Sequence, residues 1–223
     1  MKQILAFNGS PRPSGNTSYL LQQFLEGAMK NNADVSEINP LELDIKYCQG
    51  CLRCNILKRC SLRDDDWEAT AASILAADVL VFATPVYFHH LPAPLKTILD
   101  RFRSFVHVQM TETSLIHTPW HEWNKEFVLI LTMGSSDQSD ADPIIDLFRF
   151  ITSIMGEKNR LHIITATRLG LVKQVVKSEA ELLDLYKKLD LPDELAKDDA
   201  TRNKNILAHC RELGIELSMD KAG

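Results

Sequence analysis

The sequence contains no apolar run long enough to span a bilayer; its longest hydrophobic stretches are strand-sized. No charged segment followed by a signal-type apolar core stands near its start, so a cytoplasmic location without a membrane partner is expected. A cationic excess is missing as well. The 25 Lys and Arg stand against 30 Asp and Glu, a formal net charge of -5, which leaves no basic face for nucleic acid or anionic lipid. No internal repeat or low-complexity tract interrupts the chain. At 223 residues and 45% hydrophobic content it can bury one substantial core, and a single domain over 1–223 is expected.

Two phosphate-loop signatures are also absent. The stretch Asn8-Gly9-Ser10-Pro11-Arg12-Pro13-Ser14-Gly15-Asn16-Thr17-Ser18 lies between the apolar run Ile4-Leu5-Ala6-Phe7 and a helical pattern. It does not end in Gly-Lys followed by Ser or Thr, so it lacks the lysine and the magnesium-ligating hydroxyl of nucleotide-hydrolysing loops. It is not G-x-G-x-x-G either, so a dinucleotide pyrophosphate is not its obvious guest. What it does offer is hydroxyls on Ser10, Ser14, Thr17 and Ser18, backbone N–H groups freed by two glycines, and a helix N-terminus with Asn16 or Thr17 as its cap. Those features suit a single phosphomonoester. The same residues also read as an ordinary strand-to-helix turn.

Cysteines are few and unevenly placed. Cys48, Cys51, Cys54 and Cys60 follow a C-x2-C-x2-C-x5-C spacing within an expected loop at 44–66, while Cys210 stands apart in a helical pattern and reads as a small buried apolar residue. Without an export signal, such bunching argues for thiolate chemistry or a metal rather than a disulfide frame. A compact run of four favours a [4Fe-4S] cluster, with Gly50 letting the backbone wrap closely. A four-cysteine zinc site is the rival, although such sites usually pair two separated C-x2-C units, and disulfide redox chemistry comes third.

Around these loops, apolar strand patterns at 2–8, 35–41, 78–84, 127–133 and 161–165 alternate with helical patterns at 16–30, 67–77, 95–105 and 142–155. Charged helices follow from about 168. This alternation predicts an α/β fold with a doubly wound parallel sheet, whose ligands sit at the carboxyl ends of the strands. One such end delivers Thr84-Pro85-Val86-Tyr87-Phe88, adjacent aromatics that suit a flat ring or equally a core; His89 and His90 face either that ring or solvent. Asp64-Asp65-Asp66 before Trp67 reads as a helix cap. Residues 106–126, with His107, His117, His121, Trp120 and Trp123, read as a long connection that is a lid, an inter-subunit arm or a plain surface loop.

Taken together, Gly-Ser-Pro-Arg-x-x-Gly-Asn-Thr at 9–17, the four cysteines with Asp65-Asp66 after them, Ala76-Ala77-Asp78, Thr84-Pro85-Val86-Tyr87-Phe88 and Leu95-Lys96-x-x-x-Asp100-Arg101 resemble the iron-sulfur flavoprotein branch of the NADPH-dependent FMN reductase family. The match covers roughly residues 1–105. The resemblance implies a flavodoxin-like three-layer sandwich: a five-stranded parallel sheet in the order 2-1-3-4-5 with a C-terminal helical extension. It implies FMN, with the phosphate on Ser10, Arg12, Ser14, Gly15, Asn16, Thr17 and Ser18 and the ring against Pro85, Val86, Tyr87 and Phe88, bordered by Gly134 and Ser135. It implies a homo-oligomer, dimer or tetramer, and electron transfer between ferredoxin or NAD(P)H and a small-molecule acceptor. The flavin ring carries the redox chemistry, so no catalytic acid or base is assigned. Residues 87–92 depart from the family's glycine-rich ring loop. A cluster-free NAD(P)H-dependent FMN, quinone or azo reductase and a zinc-stabilised flavin-binding regulatory protein are the alternatives.

Overall fold

The computed structural model describes residues 1–219. Its strands are β1 (Gln3–Asn8), β2 (Asp34–Ile38), β3 (Val79–Pro85), β4 (Val106–Met110), β5 (Leu115–Pro119), β6 (Glu126–Thr132) and β7 (Arg160–Ala166). Its helices are α1 (Asn16–Met29), α2 (Cys54–Leu57), α3 (Trp67–Ala76), α4 (Ala93–Arg101), α5 (Asp142–Met155), α6 (Glu179–Lys188) and α7 (Leu195–Ser218).

Five strands form one parallel sheet in the order β2-β1-β3-β6-β7, the expected order once the two strands of a separate hairpin are set aside. The central strands are apolar along nearly their whole length because both faces are covered. Successive side chains alternate between the faces. Leu5, Phe7, Leu80, Phe82, Leu129 and Leu131 meet α3, α4 and α5 on one side. Ile4, Ala6, Val79, Val81, Val128 and Ile130 meet α1 and α7 on the other. This is the flavodoxin-like three-layer arrangement. Phe82 sits at the centre of the first layer, its ring centroid 5.1 Å from Phe7 and 4.9 Å from Phe148. α6 adds a small satellite core, Leu182 and Tyr186 packing on Ala196 of α7.

Two expectations change. The helical pattern at 95–105 is split: α4 ends at Arg101, and a tighter turn over Phe102–Phe105 follows. In that turn Phe102 and Phe105 both reach Trp67 and Trp123. Residues 106–126 are not an irregular connection. β4 and β5 pair antiparallel from Val106 opposite Pro119 to Met110 opposite Leu115, with Thr111 and Ser114 closing the turn through their hydroxyls and backbone. Strands of five residues, interrupted by His107, Gln109 and His117, carry too little apolar alternation to stand out. Among the described residues no helix is long and apolar enough to cross a membrane.

α1 and α7 approach unusually closely through two glycines. A Cβ on Gly27 would collide with the Arg211 carbonyl, and one on Gly214 with the Phe24 carbonyl. Gly214→Ala gains about 1 kcal/mol of helix propensity but overpacks a backbone contact at a cost of about 1–3 kcal/mol. The net loss is up to about 2 kcal/mol, and we expect the variant to lower Tm by up to roughly 8 °C in a thermal melt.

Candidate functional site

β1 ends at the carboxyl edge of the sheet and hands the chain to a loop that folds on itself. Ser10 Oγ donates to the Arg12 carbonyl at 3.1 Å and accepts from the Arg12 amide at 3.2 Å. The Gly15 amide donates to the same carbonyl at 2.8 Å. A Cβ on Gly15 would stand 2.9 Å from both the Arg12 carbonyl oxygen and Ser10 Oγ, so the tight loop requires glycine there. Gly15 also occupies the N-cap of α1, and no side chain caps the helix; no acidic residue lies in its first turn. The first-turn N–H groups of this 14-residue helix are thus without a side-chain partner.

This corrects the expectation that Asn16 or Thr17 caps α1. Asn16 reaches sideways instead: its Nδ2 donates to the carbonyls of Leu169 at 2.9 Å and Leu171 at 2.7 Å, and its Oδ1 accepts from the Val175 amide at 2.9 Å. Thr17 Oγ1 bonds Thr132 Oγ1 at 2.6 Å, tying the loop to the end of β6.

One pocket gathers the three carboxyl-edge loops. Of the expected residues, Ser10, Arg12, Gly15, Asn16, Thr17, Pro85, Val86, Tyr87 and Gly134 line it. Ser14, Ser18, Phe88 and Ser135 do not. Ser14 is exposed, Ser18 Oγ is engaged with Asn8 and the Arg12 carbonyl, and Ser135 Oγ accepts from the Asp137 amide. The sequence reading missed Thr132, Met133, Leu169, Gly170 and Val172, which complete the wall. The last three belong to the segment after β7, and they contribute backbone and small apolar groups that give no motif.

That segment is anchored by a buried charge network. Asp199 on α7 is fully buried and accepts from Arg168 Nε at 2.9 Å, from Arg202 Nη1 at 2.6 Å and from Tyr186 Oη at 2.6 Å. Arg202 also donates to the Thr167 carbonyl at 3.0 Å. Burial alone would raise the Asp199 carboxyl, but Arg168, Tyr186 and Arg202 together hold it below its ordinary value of 3.8.

The ring loop is a tight turn. Tyr87 and His90 pair antiparallel, and Phe88 and His89 between them both adopt left-handed backbone, with φ of 49° and 60°. Such a conformation costs a non-glycine residue about 1–2 kcal/mol. Phe88 projects fully into solvent. His90 Nδ1 accepts from the Leu91 amide, and His89 Nδ1 lies 3.6 Å from the Asp140 carboxylate.

The cysteine loop is closed at its base by Asp44 and Asp66, the Asp44 amide donating to Asp66 Oδ2 and the Asp66 amide to the Asp44 carbonyl, both at 2.8 Å. Asp66 holds the N-cap position of α3 without a capping side-chain bond, because its carboxylate is spent on this closure. Asn55 pins the far side to the hairpin, bonding the Val108 carbonyl at 2.8 Å and the Val108 amide at 3.0 Å. All four thiols are free and line one pocket together with Arg101, Arg103 and Ser104. Burial pushes the Cys54 thiol up while Arg103 pulls it down, and the Ser61 hydroxyl pulls the Cys51 thiol down. Arg103 Nη1 lies 3.4 Å from Cys54 Sγ.

Among the described residues no three His, Cys, Asp or Glu side chains are grouped to hold a single metal ion. A cluster makes a different demand, since each thiolate takes its own iron. Two buried nitrogens in the wall, Arg101 Nε and Nη2, have no hydrogen-bond partner. Such donors cost about 1–3 kcal/mol each when unpaired, and they suit an anionic occupant. Cys210 on α7 is unrelated to this site; burial pushes its thiol up to about 12.

The family model for NADPH-dependent FMN reductase matches residues 2–157. An iron-sulfur flavoprotein of Methanocaldococcus jannaschii is 31% identical over 101 residues, 45% of this chain and 52% of that protein. One from Archaeoglobus fulgidus is 31% identical over 99 residues, 44% of each. The chain thus spans about half the length of these relatives. A Bacillus subtilis protein proposed to be an NAD(P)H-dependent FMN-containing oxidoreductase is 29% identical over 156 residues, 69% of this chain and 79% of that one. Among solved structures, an NAD(P)H:quinone oxidoreductase from Methanothermobacter marburgensis superposes with a TM-score of 0.67 at 16% identity, covering 97% of this chain and 98% of that one. At that identity the likeness is one of fold.

The Asp199 network gives a signed pH test. Its depressed carboxyl contributes stability above pH 3.8, which is lost as pH falls below that value through the folded-state pKa. Asp199→Asn leaves Arg168 and Arg202 without their buried partner and is expected to cost about 3–5 kcal/mol at neutral pH. In urea titrations the gap between variant and wild type should close as the pH is lowered; a gap independent of pH would contradict the assignment.

Proposed function

The chain belongs to the NADPH-dependent FMN reductase family, and from that premise we propose that it is an FMN-dependent oxidoreductase carrying a [4Fe-4S] cluster, passing electrons between a carrier, ferredoxin or NAD(P)H, and a small-molecule acceptor. The observation that carries the flavin half is the uncapped start of α1 opening into the same pocket as Pro85, Val86, Tyr87 and Gly134. Bound there, FMN supplies a ring able to take electrons singly or as a hydride.

The chain's own part is binding, orientation and exclusion of water. The first-turn amides of α1 and the nearby Arg12 guanidinium would hold the phosphate, with the Ser10 hydroxyl beside them. Arg12 is already directed across the pocket, its Nη1 lying 3.4 Å from the Gly170 carbonyl. Pro85, Val86 and Tyr87 give the ring an apolar edge, and the strained turn at Phe88 and His89 fixes where that edge stops. The cluster half rests on the four thiols of one pocket and the unpaired nitrogens of Arg101. A homo-oligomer, dimer or tetramer, is supported by the apolar side chains Met110, Leu115 and Ile116 exposed on the hairpin near Phe150 of α5. The second reading, a cluster-free NAD(P)H-dependent reductase, is supported by the Bacillus subtilis relative, whose match extends over 69% of this chain.

Phosphate recognition separates a flavin mononucleotide site from a generic aromatic cleft. If two charge-assisted hydrogen bonds are made to the phosphate, flavin-free protein should bind FMN roughly a hundredfold or more tighter than riboflavin, read by quenching of flavin fluorescence. Equal affinities would remove the phosphate assignment.

A further inference from the structure

Arg101 is the largest fully buried side chain in the protein, 1% exposed, in a chain that places its other charges mostly at the surface. It sits at the end of α4, and its Nη1 donates to Asp65 Oδ2 at 2.7 Å and to the Lys46 carbonyl at 2.5 Å. Its guanidinium carbon lies 5.1 Å from the centre of the Trp67 ring. Asp65 is held in turn by the Lys46 amide at 3.1 Å and the Trp67 amide at 3.2 Å. The pair is therefore rigid and dry, with side chains 0% and 1% exposed. Burial works to raise the Asp65 carboxyl, and its hydrogen bonds from Arg101, Lys46 and Trp67 hold it below its ordinary value, so the carboxylate stays charged.

Stability does not explain this pair, because a buried ion pair is often no better than apolar side chains of the same volume. The geometry leaves the charge of Arg101 only partly used. A guanidinium carries five N–H donors; those on Nε and Nη2 have no partner, and Arg101 is one of the residues lining the cysteine pocket. Arg103, on the same wall, is instead committed to Asn55 Oδ1 at 2.9 Å and the Val106 carbonyl at 2.8 Å as well as to Cys54.

We propose that Arg101 is a positioning residue that sets the reduction potential of the group held by Cys48, Cys51, Cys54 and Cys60, its spare N–H donors serving that group's sulfur atoms; this rests on the cluster reading above. Four thiolates give the site a negative charge, and one-electron reduction by the carrier adds another with no bond made or broken. N–H donors and a fixed cation stabilise the more negative state, which raises the potential. Asp65 works in the opposite sense: it holds the guanidinium in place and offsets part of its field.

The test is a redox titration of the full chain, purified without air, followed by the EPR signal of the reduced cluster with iron and sulfide measured on each sample. Arg101→Gln should shift the midpoint downward, so that at the wild-type midpoint the reduced-to-oxidised ratio falls about tenfold, about 59 mV for a one-electron couple. Asp65→Asn should shift it upward, and Arg101→Lys, which keeps the charge but not the planar fork, should fall between wild type and Arg101→Gln. If Arg101→Gln does not fold, the smaller downward shift of Arg101→Lys decides. Iron-loaded variants with unmoved potentials, or shifts of one sign for both residues, would overturn the role of Arg101. A wild-type chain that binds no iron would instead overturn the cluster reading beneath it.

Discussion

A helix that begins at a pocket without a side-chain cap leaves its first amides unpaired, and the fold is arranged to make that tolerable. α1 starts where β1 stops, at the carboxyl edge of a parallel sheet, and Gly15 takes the cap position with no oxygen to offer. The residue types that would ordinarily turn back and satisfy those amides are drawn elsewhere: Asn16 to the segment after β7, Thr17 to β6, Ser18 to Asn8. The helix itself is held by close backbone contact with α7 at Gly27 and Gly214. The unsatisfied end thus accompanies strong interactions on the other sides, and it is the feature on which the proposed phosphate site rests.

The two buried charge clusters deal with the same problem in different ways. Around Asp199 one carboxylate meets two guanidinium groups and a phenol; the result anchors the segment that forms the outer wall of the pocket at the carboxyl edge. Around Arg101 one guanidinium meets one carboxylate, and the excess falls on the donor side, in the wall of the cysteine pocket. In the Asp199 network a single donor, Arg202 Nε, is left over, against two on Arg101. A pair with donors to spare is what a site for an anionic sulfur-bound group requires. Left-handed backbone recurs at Leu52, Lys58 and Asp64 in the cysteine loop, at Phe88 and His89 in the ring loop, and at Arg168 of the Asp199 network.

The sheet was legible in the sequence because β1, β3 and β6 are covered on both faces and read as unbroken apolar runs. The carboxyl-edge loops were legible for a related reason: Gly, Ser and Pro punctuate the chain where the strands end. The hairpin was not, since its strands are short and carry His and Gln on the partly exposed face. Asn16 has the residue type of a cap, and only the tertiary partners Leu169, Leu171 and Val175 reveal its other duty. The outer wall at Leu169, Gly170 and Val172 acts through backbone and small groups, which leave no signature. Asp65 looked like part of a run of capping acids, and its pairing with Arg101, 36 residues away, is a matter of packing that spacing along the chain does not encode.

The central claim is that one chain builds a phosphate-anchored flavin site and, beside α4, a four-thiolate site for an iron-sulfur group. The most direct test is to count both on the same sample, purified without air, by measuring flavin, iron and acid-labile sulfide per chain. The account expects about one FMN with about four iron and four sulfide. Flavin with stoichiometric zinc, or flavin with no metal at all, would contradict the cluster half, and protein with neither chromophore would contradict the whole.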